Sequence, residues 1–451
     1  MNTSFFIAKR IRLKDNEVTH LSKPIIRIAT GGIALGLAAM MLTIFIVKGF
    51  QQEVRERAVA FGGHVQIIKN SLNNSSETLP LDENNTSVKN VNYLENVKHV
   101  QQFLTKNGII KTKTDNEGII MKAVGKNYDW GFIGSHIVEG KIIDPVSDTS
   151  ASLAMISKTT ANRLSLQCGD PLFVYFILTD SLVKIKYESG DTIVQTNSDA
   201  MKVYLQTEEA ERPDTLLMLK YKSKVKKFKI KAIYETGMEE YDKKIVFTCE
   251  NTLRKICGWS TGQTGAFEVI LKDFDKLNET GEEISEVIRA DVNLSSYTIK
   301  DSNPGIFEWL DMHDTTAWIV IILMIIVAVI NMVSALIILI IEKIKMIGLL
   351  KTLGMRTGQI IMIFMYQAGR IILLGLATGN VLGLSLSTFQ FKTHFFKLDQ
   401  STYYMPFIPV KFEWGYLLLL NAGTFSICML FMLLPCLLIA KTSPIRSIRF
   451  N

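Results

Sequence analysis

Residues Ala317–Met355 read AWIVIILMIIVAVINMVSALIILIIEKIKMIGLLKTLGM. No charged residue occurs from Ala317 to Ile341, and at ~1.5 Å rise per residue that run crosses a ~30 Å hydrocarbon core. At Glu342 it breaks into a short, amphipathic, basic segment. Lys343, Lys345 and Lys351 there alternate with Ile344, Ile347, Leu349, Leu350 and Leu353, and Gly348 and Gly354 punctuate it. A membrane helix feeding a basic helix fits two roles. One is a positive flank that only sets topology; the other is a lever between the membrane and a soluble partner.

Working outward, the 451 residues have room for two or three domains. Apolar residues make up 48% of the chain and mean hydropathy is +0.20, high for a soluble enzyme. The excess sits near the N-terminus and in the last third, leaving a long polar middle. The net charge of +7 comes from lysines and arginines that largely flank apolar runs, which is orientation chemistry rather than a phosphate-tracking stripe. That excludes nucleic acid as the expected partner. Cys428 and Cys436 lie in an apolar segment. Cys168, Cys249 and Cys257 lie in the polar middle and leave room for one disulfide, with its pairing open.

Taken in order, residues 1–24 form a short basic segment expected on the cytoplasmic side. A first span covers 25–48, with Arg27 one turn inside its basic end, where it can snorkel. Its apolar run exceeds the roughly 7–15 residues of a signal-peptide core, which favours a retained anchor. Gly32 and Gly36 make a GxxxG face for close approach of another helix. From 49 to 316 the chain is soluble in character and reads as a mixed α+β domain. A solvated loop is predicted at 70–90, a helix at Val91–Asn107, and further helices at Lys158–Leu164, Cys249–Cys257 and Asp275–Arg289. Among the strands expected are His64–Ile68, Gly118–Val124, Met201–Leu205, Thr215–Leu219 and Val225–Tyr234. A second span at 317–341, a third at 360–386 and a fourth at 414–440 follow. The basic segment 342–359 and the loop 387–413 separate them, and the tail is 441–451. Gly375, Gly379 and Gly383 place a packing seam on the third span. Lys and Arg exceed acids in the N-terminal segment, in 342–359 and in the tail. Four spans then place both termini in the cytoplasm. The predicted fold is an α-helical integral membrane protein with four transmembrane helices plus a large α+β extracytoplasmic domain inserted between helices 1 and 2.

Catalytic motifs are missing from the sequence. The six histidines are dispersed, and neither HExxH, GxSxG nor GxxxxGK[ST] occurs. Gly258–Gly265, GWSTGQTG, lacks the lysine of a phosphate loop. Asp311, His313 and Asp314 offer metal-ligand types, but no further ligand can be placed beside them. No catalytic residue and no metal site is therefore expected, and no cofactor bound by this chain. Asn331 and Asn380 are polar groups inside spans, suited to interhelical hydrogen bonds. With no acidic residue evident inside a span, energy for any transport has to come from a partner.

Several stretches together resemble one family. GGIALGLAAMMLTIFIVKGFQQEV followed by GGHVQI, then FKIKAIYETGMEEYDKKIVF at 228–247, AVINMVSALIILIIEKIKMIGLLKTLGM, MPFIPVKFEW and LLPCLLIAKTSPIRSIRF occur in this order. They resemble the membrane subunits of the lipoprotein-releasing ABC transporter, the LolC/LolE family, within the mechanotransmission permeases that include FtsX-like and MacB-like proteins. The resemblance covers essentially the whole chain. It implies a bacterial inner-membrane permease that works with a dimer of a separate LolD-like ATPase carrying the ATP and magnesium. It also implies a second permease subunit, identical or paralogous, a lipoprotein substrate, and a LolA-like periplasmic chaperone. The ATPase-coupling helix would be formed by Glu342, Lys343, Lys345, Ile347, Gly348, Leu350, Lys351, Leu353 and Gly354, and Leu350→Asp would break the coupling. Spans 1 and 2 would line a cavity for acyl chains, with Met40, Met41, Met324 and Met332 suited either to acyl contact or to packing between helices. The competing readings are a cell-division regulator or tripartite-efflux permease, and a membrane-anchored adhesion or sensor protein without transport.

Overall fold

The computed structural model describes residues 22–70, 77–112, 115–145, 152–186 and 215–436. The basic segment before residue 22, the tail at 441–451, the end of the 414–440 span and the predicted strand Met201–Leu205 lie outside the described residues. The chain divides into two compact units, Met1–Glu56 with Asn303–Asn451, and Arg57–Ser302.

The first unit is helical. Its long elements are α1 (Ser22–Gly62), α2 (Pro304–Glu342), α4 (Thr357–Thr393) and α5 (Trp414–Phe431), with the short α3 (Ile344–Thr352) between α2 and α4. The four long ones are apolar enough to span a membrane, the last continuing to Cys436. At 41 and 39 residues, α1 and α2 are each about 60 Å long, roughly twice the hydrocarbon thickness. Their ends beyond the apolar runs are polar, QQEVRER in α1 and DMHD in α2. Outside the apolar zone Lys48 reaches Asp314 at 3.3 Å, Gln51 donates to the Leu310 carbonyl, and Phe50 meets Trp309 edge to face at 5.2 Å.

Helix directions follow from the residues that meet. Gly32 lies against Asn331 and Gly36 against Met324, so α1 and α2 are antiparallel. Gly375, Gly379 and Gly383 of α4 meet Thr30/Ile33, Ala34/Leu37 and Ala38/Met41 of α1 in step, so these two run parallel. Half of the apolar window of α1 and of α4 is buried, against 28% for α2 and 22% for α5, which puts the α1–α4 pair at the centre of the unit. The Asn380 and Asn421 amides exchange two hydrogen bonds, 2.8 and 3.0 Å, between α4 and α5. An interhelical amide bond of this kind contributes ~0.6–2 kcal/mol in lipid. In the last turn of α4 the buried Gln390 bonds the Phe396 backbone and the Ile408 carbonyl, holding the 395–408 loop closed. The loop then lays its backbone on α1. Lys411 N–H donates to the Phe45 carbonyl, and Pro409 O would lie only 2.9 Å from a Cβ at position 49, so Gly49 is what permits the approach.

The second unit is α+β. Ten strands form one sheet: β1 (Val65–Lys69), β2 (Val97–Lys111), β3 (Asn116–Val124), β4 (Ile137–Gly140), β5 (Leu153–Ser157), β6 (Pro171–Lys186), β7 (Thr215–Tyr234), β8 (Ile245–Cys249), β9 (Ala266–Leu271) and β10 (Leu294–Thr298). Their order is β10-β1-β9-β2-β3-β8-β5-β7-β4, with β6 pairing β2 and β7. Alternation places Leu172, Val174, Phe176, Phe228 and Ile230 in one apolar core with Ile110, Met121, Ile156 and Val246.

Three readings are corrected here. The predicted helix at Val91–Asn107 is instead strand β2 from Val97. Val97, Val100, Gln101 and Leu104 have helical spacing, but β9 on one side and β3 on the other take up the backbone hydrogen bonds. The predicted loop at 70–90 contains a helix, Thr86–Val91, whose start is fixed by the Asn85 side chain accepting from Val88 N–H. The strands Thr215–Leu219 and Val225–Tyr234 are one strand, paired along β6. All five cysteines are free thiols.

Candidate functional site

The segment between α2 and α4 is built by two local events. Lys343, at φ −93° and ψ 14°, ends α2, and the helix restarts at Ile344 as α3. At the other end, Met355 N–H donates to Leu350 O and Gly354 N–H to Lys351 O, the two bonds of a Schellman stop. Gly354 holds φ +84°, with open space where a Cβ would be, so conformation rather than crowding calls for glycine there. Arg356 N–H then donates to the Gln359 side chain, and α4 begins.

The break at Lys343 sets which residues of α3 face out. Ile347 and Gly348 are buried, and Met346, Leu350 and Met355 pack on the apolar core of the helical unit. Lys345, Leu349 and Leu353 lie four apart along the opposite face; Leu349 is 58% and Leu353 75% exposed. Glu342 and Lys343 sit close together at 3.8 Å, and Lys351 is half-buried. The outward face is thus a lysine–leucine–leucine stripe. Leu350 turns toward the core, so Leu350→Asp would test packing as much as docking.

Of the methionines, Met40, Met41 and Met332 are buried among the chain's own helices, and Met324 is half-buried against the same core. Their surroundings are those of interhelical packing. The outward apolar surface of α2 is carried by Trp318, Ile319, Ile322, Leu323, Ile326 and Ile330. The five glycines Gly32, Gly36, Gly375, Gly379 and Gly383 all lie at helix contacts, as described above. Asp311, His313 and Asp314 do not form a ligand set among the described residues. Asp314 pairs with Lys48, and His313 packs edge-on to Trp309 and Phe50.

Sequence reasoning singled out FKIKAIYETGMEEYDKKIVF without a role for any residue in it. The structure gives two. Asp242 is buried and accepts from the Thr236 hydroxyl (2.7 Å) and from the N–H groups of Thr236 and Gly237 (both 3.1 Å), folding TGMEEYD onto itself. Its own carbonyl accepts from the hydroxyls of Ser157 and Thr160. Tyr241 stacks on Phe61 in the last turn of α1, at 4.7 Å and 4°.

Burial pushes the Asp242 carboxyl up to about 6, against the opposing pull of its three hydrogen bonds. A folded-state pKa above the unfolded one stabilises the fold fully below about pH 4, and that contribution is lost as pH rises through about 6. The shift corresponds to about 3 kcal/mol at most. Thermal melts of the detergent-solubilised chain at pH 4.5 and 7.5 should show Asp242→Asn flattening the pH dependence of this unit's transition. An unchanged slope would show that Asp242 is not its source.

Two family models match the chain in succession. A MacB-like periplasmic core domain covers residues 28–232 and an FtsX-like permease C-terminal region covers 318–444. The lipoprotein-releasing system transmembrane protein LolC of Xylella fastidiosa (strain Temecula1) is 20% identical over 434 residues, covering 93% of this chain and 92% of that one. The protein of the same name from Neisseria meningitidis serogroup B is 22% identical over 441 residues, with 94% of each covered. Among solved structures, the periplasmic region of MacB from Actinobacillus actinomycetemcomitans aligns with a TM-score of 0.32 at 10% identity, over 54% of this chain and 93% of that one. The extracellular domain of the noncanonic ABC-type transporter YknZ from Gram-positive bacteria aligns at 0.31 and 12% identity, over 52% and 99%.

Proposed function

Because the chain belongs to the LolC/LolE-type permeases of the FtsX/MacB group, we propose that it extracts lipoproteins from the outer leaflet of the inner membrane. A separate ATPase, holding ATP and magnesium, drives it, and a periplasmic chaperone receives the product. The collinear likeness to lipoprotein-releasing proteins over more than nine-tenths of the chain carries this reading. The α+β unit then lies in the periplasm, both termini lie in the cytoplasm, and a second permease subunit, identical or paralogous, completes the membrane part. The outward face of α3, with Lys345, Leu349 and Leu353, is the surface the ATPase takes.

The physical requirement fits such a machine. Each buried CH₂ of an acyl anchor holds the substrate by ~0.8 kcal/mol, so extraction needs work from outside the substrate. Polar extensions of α1 and α2 beyond their apolar runs give the membrane helices the reach to carry that work to the α+β unit. The test is co-reconstitution with the ATPase in vesicles carrying a triacylated protein. Release is expected only with hydrolysable ATP and the chaperone together. Hydrolysis without release across several lipoproteins would overturn lipoprotein extraction and favour another permease of the same group.

A further inference from the structure

We propose that the socket gripping the last turn of α1 is the positioning device that delivers displacement of that helix to the α+β unit, with Lys122, Glu268 and Tyr241 as its working side chains. This rests on the transport reading above.

A helix end leaves its last carbonyls without intrahelical partners. Here Gly63 N–H takes Val59 O, and side chains of the α+β unit take the carbonyls of Ala60 and Phe61. Lys122 of β3 donates to Phe61 O at 2.6 Å, and the Tyr128 hydroxyl donates to Ala60 O at 3.2 Å. The same ammonium donates to Glu268 Oε1 of β9 at 2.5 Å, and Gln101 of β2 donates to Glu268 Oε2 at 2.7 Å. The Lys122 and Glu268 side chains are 3% and 0% exposed. Rings of Phe103 and Tyr128 lie 4.9 and 5.3 Å from the ammonium. The positive charge therefore sits at the negative end of the helix dipole, anchored to three adjacent strands, β9, β2 and β3.

A second set of contacts surrounds the Phe61 ring. Besides the Tyr241 stack, Phe247 and Tyr234 stand 6.2 and 6.4 Å away. The two sets resist different motions. Pull or push along the helix axis loads the bonds to Phe61 O and Ala60 O, whereas rotation about the axis loads the Phe61–Tyr241 stack.

The covalent link alone would not do this. The chain leaves α1 through Gly62 and Gly63, the most permissive backbone available. Gly63 is at φ +67°, and a Cβ on it would lie 2.8 Å from the Glu268 Cβ. Backbone bonds from Gly63 N–H to Val59 O (2.7 Å) and from His64 N–H to Val269 O (3.0 Å) hold the exit on either side, and the side-chain grip adds direct restraint on the helix end itself. A buried ion pair is a poor source of stability against an apolar replacement, because desolvation offsets the attraction. Direction and rigidity at the helix end are what this pair supplies.

The test uses the full chain with its ATPase. Lys122→Met with Glu268→Gln removes the donor to Phe61 O without stranding a buried charge. The double variant should keep its melting transition, ATPase binding and rate of hydrolysis, while lipoprotein released per ATP falls about fivefold or more, as for loss of an ordinary inter-site coupling. Amide exchange at residues 59–63 should quicken in the same samples. Tyr241→Ala should behave alike, and Tyr241→Phe, which keeps the stack, should restore release; this pair decides the matter if the double variant fails to fold. Release per ATP unchanged in both the double variant and Tyr241→Ala overturns the proposal, even with faster exchange, since the socket is then only a structural cap. Absence of ATP-driven release in the unaltered chain overturns the transport reading, and exchange at 59–63 still reports on the grip.

Discussion

Leu349→Asp combined with Leu353→Asp is expected to abolish co-purification of the ATPase while the chain remains inserted and folded. Both side chains stand out from α3 into solvent, 58% and 75% exposed, on the face that also carries Lys345. Each leucine withdrawn from water on docking contributes about 1.5–3 kcal/mol. Two carboxylates in their place lose that gain and add charges that the interface must desolvate. A weakening of about 3 kcal/mol is over a hundredfold in Kd, enough to lose a complex during purification. Insertion should be untouched, because neither residue contributes to the core of the helical unit. Leu350→Asp is the informative contrast. That side chain packs on the core, so its loss should lower the melting transition as well as the yield of complex. Undiminished ATPase recovery with the Leu349/Leu353 double variant would return α3 to the status of a topology-setting flank.

The membrane helices and the α+β character of the middle were legible in the sequence, because length without charge and alternation of apolar residues are local signals. So was the existence of a basic element after Ile341. Its outward face was not. The leucines of a basic amphipathic segment are equivalent until the break at Lys343 sets their phase, and that break depends on backbone angles rather than on a proline or glycine. Strand β2 was misread because Val97, Val100 and Leu104 satisfy a helical period, and only its partners β9 and β3 decide otherwise. The grip on α1 was out of reach for a different reason. Lys122 and Glu268 stand 146 residues apart, each inside an unremarkable apolar strand, and nothing local pairs them. A lysine at one position of MKAV and a glutamate at one of FEVIL, each inside an otherwise apolar run, were the signal available. Asn380 was readable as an interhelical donor, whereas its partner Asn421 needed the α4–α5 register.

The glycine seam of α4 makes the second large expectation, because there the sign of the effect decides the reading. Alanine is favoured over glycine within a helix by roughly 1 kcal/mol, so glycines that merely occupy a membrane helix should be improved by alanine. A Cβ at position 379, however, would stand 2.8 Å from the Ala34 carbonyl oxygen and 3.1 Å from its Cα, and backbone cannot turn aside. At 375 it would meet Ile33 Cβ and Cγ2 at 2.8 Å, a β-branched side chain with little freedom. At 383 the obstacle is the Met41 thioether at 3.1 Å, which can swing away, and at 36 only Met324 O at 3.7 Å, an ordinary contact. Overpacking of this sort costs about 1–3 kcal/mol. The melting transition of the detergent-solubilised chain should therefore fall clearly for Gly379→Ala and Gly375→Ala. It should fall less for Gly383→Ala and hold or rise for Gly36→Ala. Leucine at 379 should prevent α1 and α4 from closing at all, leaving little folded protein to extract. A uniform gain in melting temperature across the alanine series would overturn the close α1–α4 contact.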